Sequence, residues 1–266
     1  MDSFSTLLSV KSQLTTLGLA QGQAVFVHAS MKAIGPMVGG ARVIVEALLD
    51  QVGSEGLVAM PGFSTDAYWP EDIDAAALSA SEAGRVELAV PGFDVAKSPT
   101  SGMGVIAETF RTWPGTMRST HPSTSVCLNG LDAEKLVARH SLDWAMGPET
   151  PFGALYHRSN SKILLMGVGW NRCTALHTAE TFAETRRTKT RRFKAGRLDS
   201  PWAETQDVAD DLGRLFPAAG AAFEATGRVT NGKLGHADCK FADFKDLVDF
   251  ASEWINQANL ESGERH

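Results

Sequence analysis

With 266 residues, 43% apolar and 21% charged, the chain is long enough to bury a substantial core without disulfide or metal staples. Its 25 basic and 31 acidic residues give a formal charge of −6, which argues against a general nucleic-acid binder and leaves room for a cationic small-molecule partner. No apolar run approaches the roughly 18 residues of a membrane span, and Met1-Asp2-Ser3-Phe4 lacks signal-peptide character. Cys127, Cys173 and Cys239 show no C-x-x-C or metal-ligand spacing, so reduced thiols and a cytoplasmic location are expected.

Residues 5–18 carry leucines at helical spacing, and Ala24 to Ala29 reads as a short buried strand. A loop follows from Met31 to Gly40, then a helix over 41–52 and a strand at Leu57 to Met60. Strand, loop, helix, strand within so few residues is a β-α-β unit and points to an α/β architecture. From about 65 to 99 the pattern predicts an irregular insertion with a marked acidic bias (Asp66, Glu71, Asp72, Asp74, Glu82, Glu87, Asp94). A helix near 104–112 and a strand near 125–128 come next. Lys162 to Val168 is the clearest buried strand and runs through a glycine turn into a helix over 174–186. The basic stretch 186–197 reads as a solvated loop, with phosphate contact as the sharper alternative. Helices near 207–225 and over 244–258 complete a single α/β domain spanning 1–266.

Three segments can carry chemistry. In Thr174-Ala175-Leu176-His177-Thr178-Ala179-Glu180, His177 falls in the opening turns of a helix, where the positive end of the helix dipole disfavours the imidazolium. A neutral imidazole serves as a general base, and Glu180, three residues on, shares its face and can orient the ring. The bland alternative is an ordinary helix-surface pair. Arg118 to Ser125 packs hydroxyls, a guanidinium and His121 around a proline turn, suited to a polar ligand or to a simple polar turn. The segment from His28 through Ser30, Met31, Lys32 and Gly35 to Gly40 leads from a strand end to a helix start, where α/β proteins hold phosphates. It matches neither of the two commonest nucleotide fingerprints. No spacing supports a metal site, and the serine-hydrolase elbow is absent.

The ordered segments VFVHASMKAIGPMVGG, GLVAMPGFS, FDVAKSPTSGMGVIAETFR, MRSTHPSTSV, PFGALYHRSNSKILLMGVGWNRCTALHTAE and GKLGHADCKFADFKDLVDFA resemble the aminoglycoside 3-N-acetyltransferase family. The resemblance implies a three-layer α/β/α fold distinct from the common N-acetyltransferase fold. It implies transfer of acetyl from acetyl-CoA to the 3-amino group of the deoxystreptamine ring, and hence aminoglycoside resistance. It makes His177 the general base, with an acidic residue from a later segment completing the site: Asp207, or Glu204 as its rival. Ser30, Met31, Lys32, Gly35, Ser119, His121, Ser123 and Thr174 correspond to the part that holds CoA. Thr174 or a nearby backbone N–H is the expected oxyanion donor. No activated nucleophile is evident, so direct transfer is expected. Asp66, Tyr68, Asp72 and Asp94 are expected to face the cationic substrate, and the basic run to face the anionic cosubstrate. Two other readings remain open: acylation of a different amine, and a non-catalytic CoA-binding protein. The protein is expected to act as a monomer or a homodimer.

Overall fold

The computed structural model describes residues 4–197, 200–209 and 213–261. Helix α1 (Leu7–Leu17) opens on a reciprocal cap, in which the Thr6 hydroxyl accepts from Ser9 N–H and the Ser9 hydroxyl accepts from Thr6 N–H. Strand β1 (Ala24–Ala29) follows, then a short α2 (Met31–Ile34) where an open loop was expected, α3 (Ala41–Val52) and β2 (Leu57–Pro61). Helices α4 (Ala80–Ala89) and α5 (Gly104–Arg111), strands β3 (Met117–Arg118) and β4 (Val126–Gly130), and helices α6 (Ala133–Val137) and α7 (Pro151–His157) lead to β5 (Ser161–Met166). The chain closes with α8 (Ala175–Phe182), β6 (Thr188–Lys194), β7 (Trp202–Val208), α9 (Phe216–Ala225), β8 (Thr230–Leu234), β9 (Ala237–Asp243) and α10 (Phe244–Glu261).

Seven strands form one sheet in the order β3-β4-β2-β1-β5-β9-β8. Its centre is parallel: Ala24 of β1 stands beside Leu57 of β2 and Ser161 of β5, while β4 and β9 join antiparallel outside them. β1 is buried on both faces, which explains its unbroken apolar run. Ala24 and Phe26 pack among Leu176 and Ala179 of α8, Phe223 of α9 and Leu247 and Ala251 of α10. Val25 and Val27 point the other way, onto Leu14 of α1, Ile44 and Leu48 of α3 and Phe110 of α5. The result is helix, sheet, helix, as expected.

Four further expectations change. The acidic segment is not irregular throughout: α4 starts at Ser79, whose hydroxyl accepts from Glu82 N–H while the Glu82 carboxylate accepts from Ser79 N–H. The basic run is the strand β6, paired antiparallel with β7 in a hairpin separate from the main sheet. Residues 207–208 end β7, and the helix placed near 207–225 starts only at Phe216; residues 210–212 lie outside the described part. Helix α8 stops at Phe182, because Ala183 turns extended.

The hairpin and the acidic segment are tied together by charge at a few points. Lys194, only 2% exposed, donates its three ammonium protons to the carbonyls of Glu87, Leu88 and Val90, at the C-terminal end of α4. A cation there satisfies orphan carbonyls and meets the negative end of the helix dipole. Arg192 pairs with Glu87 at 2.7 Å and Arg197 with Asp94 at 3.4 Å. Phe193 packs with Ala67 and Phe93 in a small core of their own.

Candidate active site

The C-terminal ends of β1 and β2, the turn after β5 and the start of α8 surround a cleft of about 750 Å³. That is where an open α/β sheet gathers ligands, and the size suits a small-molecule site. One close approach shapes it. Gly167, just past β5, has φ +67°, and a Cβ there would stand 2.4 Å from Ala33 Cβ, so a glycine lets α2 lie against the strand end. Ser30 N–H donates to the Met166 carbonyl, and the Ser30 hydroxyl accepts from Ala33 N–H at the head of α2. Ser30, Met31 and Lys32 therefore line the cleft, while Gly35 ends α2 outside it, against His236.

His177 is the third residue of α8 and lines the cleft with a quarter of its side chain exposed. Its Nδ1 lies 2.9 Å from Glu180 Oε2, and Phe216 packs edge-on to the ring at 4.6 Å. Glu180 is buried behind it and does not line the cleft. Engagement of Nδ1 leaves Nε2 as the nitrogen available to the cleft. Asp207 is placed differently: buried in β7, it accepts from Arg191 Nε at 2.6 Å and from Val208 N–H, so the structure pairs it with Arg191 rather than with His177. Glu204 is an exposed residue of β7 opposite Arg192.

The opposite wall is a histidine network. His121 Nδ1 accepts from the backbone N–H groups of Ser123 and Thr124 at 3.2 and 3.1 Å, and its Nε2–H donates to the Leu142 carbonyl. His140 lies 4.8 Å from it, ring to ring, and pairs through Nδ1 with the Ser119 hydroxyl. Burial pushes His121 down to about 4, partly offset by the Leu142 carbonyl, and burial together with His121 pushes His140 down to about 3. Ser123 and Thr124 line the cleft; Ser119 and His121 stand behind them. Among the expected substrate residues, Tyr68 lines the cleft. Asp66 and Asp94 do not, and Asp72 is exposed elsewhere on the acidic segment. Asp94 is taken up by the N–H groups of Ala96 and Lys97 and by Arg197.

Several lining residues went unread in the sequence. Arg172 adds an exposed cation, Met103, Val105 and Ile106 an apolar side, and Phe216 the support for His177. His28, which opens the third segment singled out in the sequence but has no role assigned there, is the most consequential cleft residue. It sits one position before the end of an apolar strand. Its Nε2 accepts from Thr174 N–H at 3.1 Å, and burial, with His177 adding to it, pushes it down to about 3. Among the described residues no group of three or more His, Cys, Asp or Glu is arranged to hold a metal ion. No described helix is long and apolar enough to cross a membrane.

Residues 26–256 match the family described as aminoglycoside 3-N-acetyltransferase. The chain belongs to that family. It is similar to the SPbeta prophage-derived aminoglycoside N(3')-acetyltransferase-like protein YokD of Bacillus subtilis, at 32% identity over 94% of this chain and 92% of the relative. The crystal structure of YokD superposes with a TM-score of 0.88 over 97% of this chain and 94% of that one. Aminoglycoside N(3)-acetyltransferase III of Pseudomonas aeruginosa is 32% identical over 90% of this chain and 89% of its own. A solved relative described as AAC-IIIb binary with CoASH has 29% identity and a TM-score of 0.83, covering 96% of this chain and 98% of that one. The fold is that of these relatives, and the chain is an acetyltransferase.

Proposed function

We propose that the chain transfers the acetyl group of acetyl-CoA directly to the 3-amino group of a deoxystreptamine aminoglycoside, in the cytoplasm where acetyl-CoA is made, and so confers resistance. The observation that carries this reading is the His177–Glu180 pair at the head of α8, opening onto the cleft. The Glu180 carboxylate accepts from Nδ1–H, holding the tautomer in which Nε2 is a free base and stabilising the imidazolium that forms after proton uptake. The residues present suit acetyl-CoA: Lys32 and Arg172 are exposed cations on the cleft for phosphates, and Met31, Met103 and Ile106 offer an apolar side for the pantetheine arm. Direct transfer is supported by the thiols. Cys173 lines the cleft, but burial pushes it up to about 12, so a thiolate nucleophile is not at hand.

One observation favours a second reading, acyl transfer to a different amine. Among the described lining residues there is no carboxylate, whereas a polycationic acceptor is best held by several. A thiol-release assay with acetyl-CoA and a panel of amines separates the two. Release with gentamicin or a relative, giving a 3-N-acetyl product by NMR, is the expected result. Release only with other amines establishes the second reading, and CoA binding without turnover on any amine contradicts both. An acetylated enzyme trapped by rapid quench would overturn direct transfer.

A further inference from the structure

His28 is 7% exposed, lines the cleft and takes no part in the proton transfer assigned to His177 and Glu180. Its chemistry is fixed by one bond. A backbone N–H can only donate, so the bond from Thr174 N–H makes His28 Nε2 an acceptor without a proton. A neutral imidazole carries one N–H, which is then on Nδ1. Burial beside the Phe26 ring, 5.1 Å away, and beside a second histidine keeps the ring neutral. Among the described residues Nδ1–H has no hydrogen-bond partner. Nδ1–H is not one of the fully buried unpaired polar atoms of the described residues, so it is open to an acceptor in the cleft that His28 lines.

Placement narrows what that acceptor is. Thr174 immediately precedes α8 and His177 is its third residue, so the two imidazoles flank the first turn of the same helix and line the same cleft. The Thr174 backbone N–H, a natural oxyanion donor at a helix start, is already committed to His28. His28 cannot act as a base, because its one lone pair is occupied.

We infer that His28 Nδ1–H is an oxyanion donor for the thioester carbonyl of acetyl-CoA, an assignment that rests on the acetyl-transfer reading above. As the amine nitrogen bonds to the carbonyl carbon, the carbonyl π pair moves onto oxygen, where His28 Nδ1–H donates to it. His177 takes one proton from the amine nitrogen. The oxyanion then re-forms the carbonyl, the carbon–sulfur bond breaks, and the thiolate takes the proton from His177, giving amide and CoA thiol. His28 neither gains nor loses a proton, so its contribution is electrostatic and greatest in the transition state.

Infrared spectroscopy of wild-type protein with carbonyl-13C acetyl-CoA and no amine present reads the contact directly. The inference expects the bound carbonyl band below its frequency in free acetyl-CoA, and an unshifted band in the bound complex overturns it. In His28→Leu the shift disappears and kcat falls by about 10²- to 10³-fold, while the acetyl-CoA Kd stays within about threefold. His28→Gln, which keeps an acceptor for Thr174 N–H and an N–H donor, retains part of the shift and of kcat. A loss confined to Kd, with kcat intact, indicates a merely structural histidine and overturns the inference. If His28→Leu does not fold, the wild-type band and His28→Gln still decide. Failure of the wild-type protein to bind acetyl-CoA by calorimetry removes the acetyl-transfer reading and this assignment together. Binding without a band shift removes only this assignment.

Discussion

Around the cleft the protein buries polar groups as neutral imidazoles, each tied to backbone or hydroxyl partners: His28 to Thr174, His121 to Ser123 and Thr124, His140 to Ser119. In the annex formed by the 65–99 segment and the β6–β7 hairpin it uses full charges instead, pairing Arg192 with Glu87, Arg197 with Asp94 and Lys194 with the carbonyl end of α4. The difference is one of environment. A cleft wall packed against the sheet cannot hold unpaired ions, so its histidines lose their protons. A two-stranded hairpin at the surface has little apolar area of its own, and charge pairing helps fasten it. The wall should therefore be sensitive to acid, and the annex to salt and to loss of the buried Lys194 cation.

Acid is the largest lever. Below about 6.5 the unfolded chain binds protons that the folded histidines refuse, since His28 and His140 titrate at about 3 and His121 at about 4. Their stability is fully present above about 6.5 and is lost as pH falls toward the folded values, at about 2 kcal/mol per histidine by pH 5. Urea midpoints measured from pH 7.5 down to 5 should fall accordingly, and a flat profile would break the comparison on the side of the wall. Glu180→Gln comes next. An amide can present its N–H to Nδ1 and turn the His177 tautomer around, so kcat should drop about 10²-fold with acetyl-CoA binding unchanged.

Lys194→Met should cost about 2 kcal/mol by urea unfolding, because the carbonyls of Glu87, Leu88 and Val90 lose their donor inside a packed interface. Limited proteolysis should then open the 65–99 segment first, and an unaltered cleavage pattern would show that the cation is dispensable. Arg192→Ala is the smallest change. Exposed pairs are worth up to about 1 kcal/mol and are screened by salt, so stability should move by less than that, and by nothing measurable in 1 M salt. A tenfold loss of kcat in this variant would instead place the annex in the chemistry.

The parts of the fold legible in sequence are those whose burial follows a period. β1 and β5 read as apolar runs because both faces are covered, and α3 declared itself through Ile44, Val45, Leu48, Leu49 and Val52. His177 and Glu180 were legible as a pair because both sit on one short helix. The annex was not. α4 buries none of its residues fully, so it lacks an apolar stripe, and only the Ser79–Glu82 cap marks it. β6 alternates inward and outward, but its positions are filled with Lys, Arg and Thr, which hides the strand period. The crowding of acids and bases suggested two ligands of opposite charge, whereas in the fold Arg192 meets Glu87 and Arg197 meets Asp94, and of the described basic residues in 186–197 only Arg191, paired with Asp207, lines the cleft. His28 was hidden for another reason: its meaning depends on Thr174, 146 residues away in the chain.

The central claim is that the head of α8 performs the chemistry, and its most direct test is the rate of CoA thiol release for wild type and His177→Ala under matched, saturating acetyl-CoA and amine. Removing a general base should lower kcat by about 10²- to 10⁴-fold while the calorimetric Kd for acetyl-CoA stays unchanged. A His177→Ala enzyme that releases thiol at the wild-type rate, or that loses activity only through acetyl-CoA binding, would contradict it.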